Sequence, residues 1–283
     1  MKTLIEHDSN VKQTFPIYDV SFDKTKWIMK TAPFTLVLSF WILMFAGLTY
    51  AKADENRSLF HLPYVKYRGG NYKPRPEAIG SLLGQVAKRT SVEVQRSFLP
   101  LDLTDPKLFR YPMIYMAGNA RFYPFNQKEL RLLRNYLNLG GFLLIDDGSG
   151  VPNSDFDNSV RKTISNLFPN TPLKEISRDH SIFRSFYLIS QVTGRVSIKP
   201  YLEGVDIKGR TALVYSVNDL GGAWSTNKLG HWNYDVVGGG AMQRKISARL
   251  GVNIVLYALT LDYKKDMVHL PIILERLRRY DLR

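Results

Sequence analysis

The sequence predicts an α/β fold: a three-layer sandwich on a mostly parallel sheet, preceded by an N-terminal hydrophobic export segment. Three observations carry this expectation. Strand-length apolar runs alternate with helical stretches that are apolar on one face, the strongest runs stop on Gly or run into acidic residues, and residues 31–51 carry no charge. Parallel strands need crossover helices that bury both sheet faces, so they read as continuous apolar runs between amphipathic helices.

Residues 64–67 (YVKY) form a short strand closed by Gly69 and Gly70. Pro74 and Pro76 then open a helix with Ile79, Leu82, Leu83 and Val86 at i, i+3, i+4, i+7 spacing and Lys88 and Arg89 in its last turn. Residues 91–95 (SVEVQ) alternate as a strand, and 111–117 (YPMIYMA) form a buried parallel strand stopped by Gly118. Asn126 caps a helix with Leu130, Leu133 and Leu137 facing inward, which Gly140 and Gly141 end. The most apolar strand, 142–145 (FLLI), runs straight into Asp146-Asp147-Gly148. Further on, 157–168 reads as a helix, 210–216 (RTALVYS) as a buried strand, and 240–261 as the last long helix, built on Ile246, Leu250, Ile254 and Leu261. Residues 217–239 are rich in Gly, hold Trp224 and Trp232 and show no period, as expected of an ordered functional loop.

The chain of 283 residues has room for one large domain or one domain with appendages. Cys is absent, which excludes thiolate nucleophiles, Cys-ligated zinc, iron–sulfur clusters and disulfides. Lys and Arg number 39 against 25 Asp and Glu, a field that attracts anionic polymers, lipids or proteins. Phe34 to Leu48 is a near-continuous apolar run preceded by Lys24, Lys26 and Lys30 and followed by Ala51 and Ala53, the pattern of a signal peptide cleaved between Ala53 and Asp54. Met29 opens a complete signal by itself. With Met1 as the start, residues 31–51 instead form an inner-membrane anchor by the positive-inside rule. Either way the following domain is exported or periplasmic, which makes nucleic acid an unexpected partner. The chain thus divides into an N-terminal region, 1–53, an α/β domain, 54–262, and a C-terminal segment, 263–283. In that last segment Leu270, Ile273, Leu274 and Leu277 share a face among arginines, the pattern of a basic amphipathic helix.

A resemblance covers about two thirds of the chain. Its segments are Lys66-Tyr67-Arg68-Gly69-Gly70, Leu108-Phe109-Arg110-Tyr111-Pro112, Tyr115-Met116-Ala117-Gly118, Tyr136-Leu137 with Gly140-Gly141-Phe142-Leu143, Asp146-Asp147, Asp179-His180-Ser181-Ile182-Phe183 with Ser185-Phe186-Tyr187, and Leu250-Gly251-Val252-Asn253-Ile254. Together they resemble the bacterial domain-of-unknown-function 4159 family. The resemblance implies a fold of the class I glutamine-amidotransferase or flavodoxin type and no established reaction. Asn119 stands where that family often has His, and Gly222 where it often has Cys. Glutaminase chemistry needs a Cys nucleophile, so amidotransfer does not carry over.

Ligands of a doubly wound sheet bind outside the carboxyl ends of its strands. Gly118 with Asn119, Asp146 with Asp147, and Asp219 all fall at such ends and are expected to share one rim, either as turn caps or as a ligand or cation site. Asp179 and His180 suggest a catalytic pair, or a capped turn that holds 183–187 on the core. His231 with Asp146 and His180 would complete a His, His, carboxylate set. Trp224 and Trp232 could stack a sugar or pack the loop, and Gly238-Gly239-Gly240 could cradle a phosphate or serve as a hinge. The leading expectation is a non-catalytic exported cell-envelope domain that binds an envelope protein, an anionic membrane surface or a small ligand, with no cofactor. The alternative is a carboxylate-dependent hydrolase, with or without a metal ion, acting on an envelope polymer.

Overall fold

The computed structural model describes residues 59–260. The apolar run 34–48, the cleavage point at Ala53 and Asp54, Leu261 and the basic segment 263–283 lie outside the described residues. In chain order the elements are β1 (Phe60–His61), β2 (Tyr64–Lys66), α1 (Ala78–Arg89), β3 (Val94–Gln95), β4 (Pro100–Asp102), β5 (Met113–Gly118), α2 (Gln127–Asn138), β6 (Phe142–Asp147), α3 (Asp155–Leu167), β7 (Lys174–Glu175), β8 (Glu203–Ile207), β9 (Arg210–Ser216), α4 (Leu220–Trp224) and α5 (Gly240–Thr260), with 3₁₀ turns at Pro106–Arg110 and Ser181–Phe183.

Seven strands form one sheet in the order β4-β2-β5-β6-β9-β8-β7. The first five run parallel, whereas at one edge β8 pairs antiparallel with β9 and β7 antiparallel with β8. Alternation along each central strand feeds two cores. On β6, Leu144 joins Ile79, Leu82, Trp224 and Leu250 on the face covered by α1, α4 and α5. Its neighbours Leu143 and Ile145 join Leu130, Leu133, Val160 and Ile164 under α2 and α3 on the other face. The expected three layers are therefore present, each helix burying the apolar stripe that its spacing indicates.

Local signals fix the helix starts. Asn126 accepts from the Glu129 N–H at 2.9 Å while the Glu129 carboxylate accepts from the Asn126 N–H at 2.7 Å, a reciprocal cap on α2. Ser154 caps α3 through the Asp157 N–H, so that helix begins at Asp155, ahead of the expected 157. Two expectations need larger correction. Segment 91–95 shrinks to β3, which pairs with β1 in a separate two-stranded sheet, and the supposedly period-free 217–239 contains α4. Among the described residues no helix is long and apolar enough to cross a membrane.

Candidate ligand-binding rim

Register places the expected residues side by side. Gly118 of β5 lies opposite Asp147 of β6, and Asp146 lies opposite Ser216 of β9, so the three strand ends share one rim. Gly118 is required there: a Cβ would overlap the Phe156 ring and the Tyr67 hydroxyl, which close over the strand end. The Tyr67 hydroxyl donates to the Ala117 carbonyl at 2.8 Å. Asn119, the next residue, is exposed.

Consecutive residues on a strand face opposite ways, and Asp146 and Asp147 do so. Asp146 is fully buried beneath α4. Its carboxylate accepts from the N–H groups of Leu220 and Gly221 at 2.8 and 2.7 Å and from the Tyr115 hydroxyl at 2.8 Å. Burial first, then the nearby Asp219 carboxylate, raises its pKa from 3.8 to about 7, against the pull of those three donors. Asp147 serves its own turn, accepting from the Ser149 N–H at 2.8 Å and the Ser154 hydroxyl at 2.5 Å; burial raises it too. Asp146 is thus no turn cap but the anchor that holds α4 to the sheet.

A pH prediction follows for Asp146. Between 3.8 and about 7 the folded protein keeps a proton that the unfolded chain has released, so this residue's contribution to stability falls as pH rises through that window and is flat above it. Urea midpoints of wild type and Asp146→Asn should therefore change differently with pH, wild type losing ground to the variant across the window. Parallel pH profiles would show that Asp146 is ionised throughout.

Asp219 starts α4 from the left-handed region, at φ 53° and ψ 61°, and its carboxylate caps the helix through the Gly222 N–H at 2.9 Å. Asp tolerates this conformation better than most residues. The same carboxylate takes Arg75 in two contacts, Nε at 3.2 Å and Nη2 at 2.7 Å, and Arg195 Nε. Arg75 also donates to the Gly148 carbonyl at 3.3 Å and lies 4.0 Å over the Tyr234 ring. Sequence reasoning missed both arginines. Arg75, between Pro74 and Pro76 in the loop after the first sheet strand, carried a readable hint in its place at a carboxyl end; Arg195 carried none.

The other sequence candidates do not converge on the rim. His180 caps the 3₁₀ turn by accepting from the Ile182 N–H at Nδ1, 3.2 Å, and its Nε2 lies 3.1 Å from the Thr211 hydroxyl. Thr211 is the second residue of β9 whereas Ser216 closes it, so His180 sits about 17 Å from the rim at roughly 3.3 Å per residue. Its order with exposed Asp179 marks a capped turn, not a catalytic pair. His231 is exposed on the 225–239 loop, so the His, His, carboxylate set is not assembled. Trp224 is buried, its indole N–H bonded to the Ser247 carbonyl at 2.9 Å, and cannot stack a sugar; Trp232 is half-exposed beneath Arg244, at 4.3 Å. The Gly239 N–H is taken by the Gln243 side chain at 2.6 Å, which leaves that amide unavailable to a phosphate. Among the described residues no group of three His, Asp or Glu side chains stands ready to hold a metal ion.

What the rim offers outward is basic and aromatic. The loops after β2 and β5 meet at the Tyr123 N–H to Arg68 carbonyl bond, 2.9 Å, and expose Arg68, Lys73, Arg121 and Tyr123. Arg121 pairs with Asp155 at 3.0 Å and Arg68 reaches Glu129 at 4.0 Å. Both arginines are themselves exposed, and surface pairs of this kind are worth at most about 1 kcal/mol, so either arginine can be recruited by a ligand at little expense. None of the curated proteins matches the chain. Residues 61–259 match the model of the family described as "Domain of unknown function (DUF4159)", well over half the sequence, and the chain belongs to that family.

Proposed function

We propose that the protein is a non-catalytic, exported domain of the cell envelope that binds an acidic ligand or protein partner on the rim at the carboxyl ends of its sheet. The observation that carries this reading is the saturation of the rim carboxylates. Asp146, Asp147 and Asp219 spend their oxygens on backbone N–H groups, hydroxyls and two arginines. The two hydroxyls they hold, Ser154 and Tyr115, are buried, Ser154 as the cap of α3, and the histidines stand elsewhere. The described residues hold 26 Lys and Arg against 15 Asp and Glu, so the field around the rim favours an anionic partner. Export is carried by the sequence pattern of residues 24–54.

Charge reversal tests the reading. Full-length protein should retain components of envelope fractions on a column, and the triple variant Arg68→Glu, Lys73→Glu, Arg121→Glu should lose them while keeping its thermal midpoint. Asp146→Asn should retain them. Turnover of an envelope polymer that vanishes in Asp146→Asn or Asp219→Asn would instead establish the carboxylate-dependent hydrolase.

A further inference from the structure

Away from the rim, the segment 182–189 is held in an unusual way. Asn253, buried in α5, spends its whole side chain on it. The Asn253 carbonyl accepts from the Tyr187 N–H at 2.8 Å, and its amide donates to the carbonyls of Tyr187 and Ile182 at 2.8 and 3.0 Å. Ile182, Phe183 and Ile189 on either side are buried in the core. With Tyr187 clamped inward, its neighbours Phe186 and Leu188 are turned out. Leu188 is 88% exposed, the most exposed of the large apolar side chains among the described residues, and Phe186 is 46% exposed, braced edge-on against Tyr187 at 4.8 Å. Cations flank the pair: Arg249 lies 5.0 Å over the Tyr187 ring, Lys245 is exposed one turn earlier on α5, Arg184 is exposed on the segment itself, and exposed Arg178 donates to the Ser190 carbonyl just beyond it at 3.2 Å. Glu175 and Asp179 are the acidic residues nearby in sequence, and the Asp179 carbonyl takes Arg184 Nη2.

We propose that this segment is a membrane-docking loop that inserts Phe186 and Leu188 into an anionic bilayer, with Arg178, Arg184, Lys245 and Arg249 at the level of the headgroups. An apolar pair ringed by cations is the arrangement by which surface elements bind at the headgroup–acyl boundary. A protein partner fits less well, because a stable interface buries about 800 Å² per side around a packed core, and two exposed apolar side chains on one short segment do not build one.

The absence of cysteine makes the test clean, since one introduced Cys takes a label uniquely. Full-length Leu188→Cys, carrying an environment-sensitive nitrobenzoxadiazole dye, is mixed with phosphatidylcholine vesicles with and without phosphatidylglycerol, and Tyr123→Cys on the rim serves as the control. The expected result is a blue shift and a rise in emission at position 188 on anionic vesicles alone, diminished by salt and by Arg184→Glu with Arg249→Glu, and no response at position 123. No response at 188, or an equal response at 123, overturns the proposal, as does a response at 188 to soluble envelope proteins and not to vesicles. Because the loop and the rim lie apart, neither outcome bears on ligand binding at the rim.

Discussion

Replacing Asp219 by Ala should destabilise the protein by about 3–5 kcal/mol, the usual consequence of leaving a buried ion pair with one partner. Two arginines depend on it: the Arg75 and Arg195 side chains are only 14% and 20% exposed, so water cannot readily replace the carboxylate. Loss of the α4 cap adds about 0.5–2 kcal/mol. Asp219→Asn separates these contributions, since Asn accepts the left-handed backbone and can cap through its carbonyl oxygen but carries no charge. The expected order of urea midpoints is wild type, then Asn, then Ala. A further consequence concerns Asp146, whose pKa is raised in part by the Asp219 charge. In the Asn variant Asp146 should ionise at lower pH, so the upper edge of its stability window falls and the window narrows. An Asp219→Ala midpoint within about 1 kcal/mol of wild type would mean that the arginines are solvated, contrary to this account.

The parts of this architecture that were legible in the sequence are those whose signal is local. Strands β5, β6 and β9 each bury six residues, so their composition alone marks them. Helices α1 and α2 display their core stripe at helical spacing, and α2 has its reciprocal cap written in Asn126 and Glu129. The strands that were missed or misplaced have no such signal. β4 buries only Leu101, β7 is two exposed residues, and β8 carries Gly204 and a break in register between Val205 and Asp206. They exist because a neighbouring strand offers them hydrogen bonds, which is tertiary information. The rim divides in the same way. That Gly118, Asp146, Asp147 and Asp219 lie at strand ends could be read from where the apolar runs stop. What the carboxylates do could not, because the decisive partners are distant: Leu220 and Gly221 lie 74 and 75 residues beyond Asp146, and Arg75 lies 144 residues before Asp219. Adjacent Asp179 and His180 suggested chemistry through proximity in sequence, but their geometry makes a cap.

The second large effect is expected at Gly194, where Ala should prevent stable folding. A Cβ there would overlap the carbonyl oxygen of Asn218 and lie 2.6 Å from its carbon and 3.0 Å from that of Asp219. These are backbone atoms at the exit of β9, and no rotamer change moves them. The 194–196 segment would have to lift away, breaking the Arg195 N–H to Asp219 carbonyl bond at 2.9 Å, the Val196 N–H to Asn218 carbonyl bond at 3.2 Å, and the Gln243 amide bond to the Gly194 carbonyl at 2.9 Å. Arg195 would leave Asp219 in the same movement. Overpacking in a core typically costs about 1–3 kcal/mol where side chains can yield; here they cannot, and an ion pair is lost besides. Gly209→Ala is the control for backbone strain without a clash: unlike Gly194, Gly209 has a positive φ, 78°, and it faces open space, so its cost should stay near the roughly 1–2 kcal/mol of placing Ala in the left-handed region. Urea unfolding of the two variants decides the matter: Gly194→Ala should be insoluble or lose several times what Gly209→Ala loses, and equal midpoints would show that the 194–196 segment is free to move away from the rim.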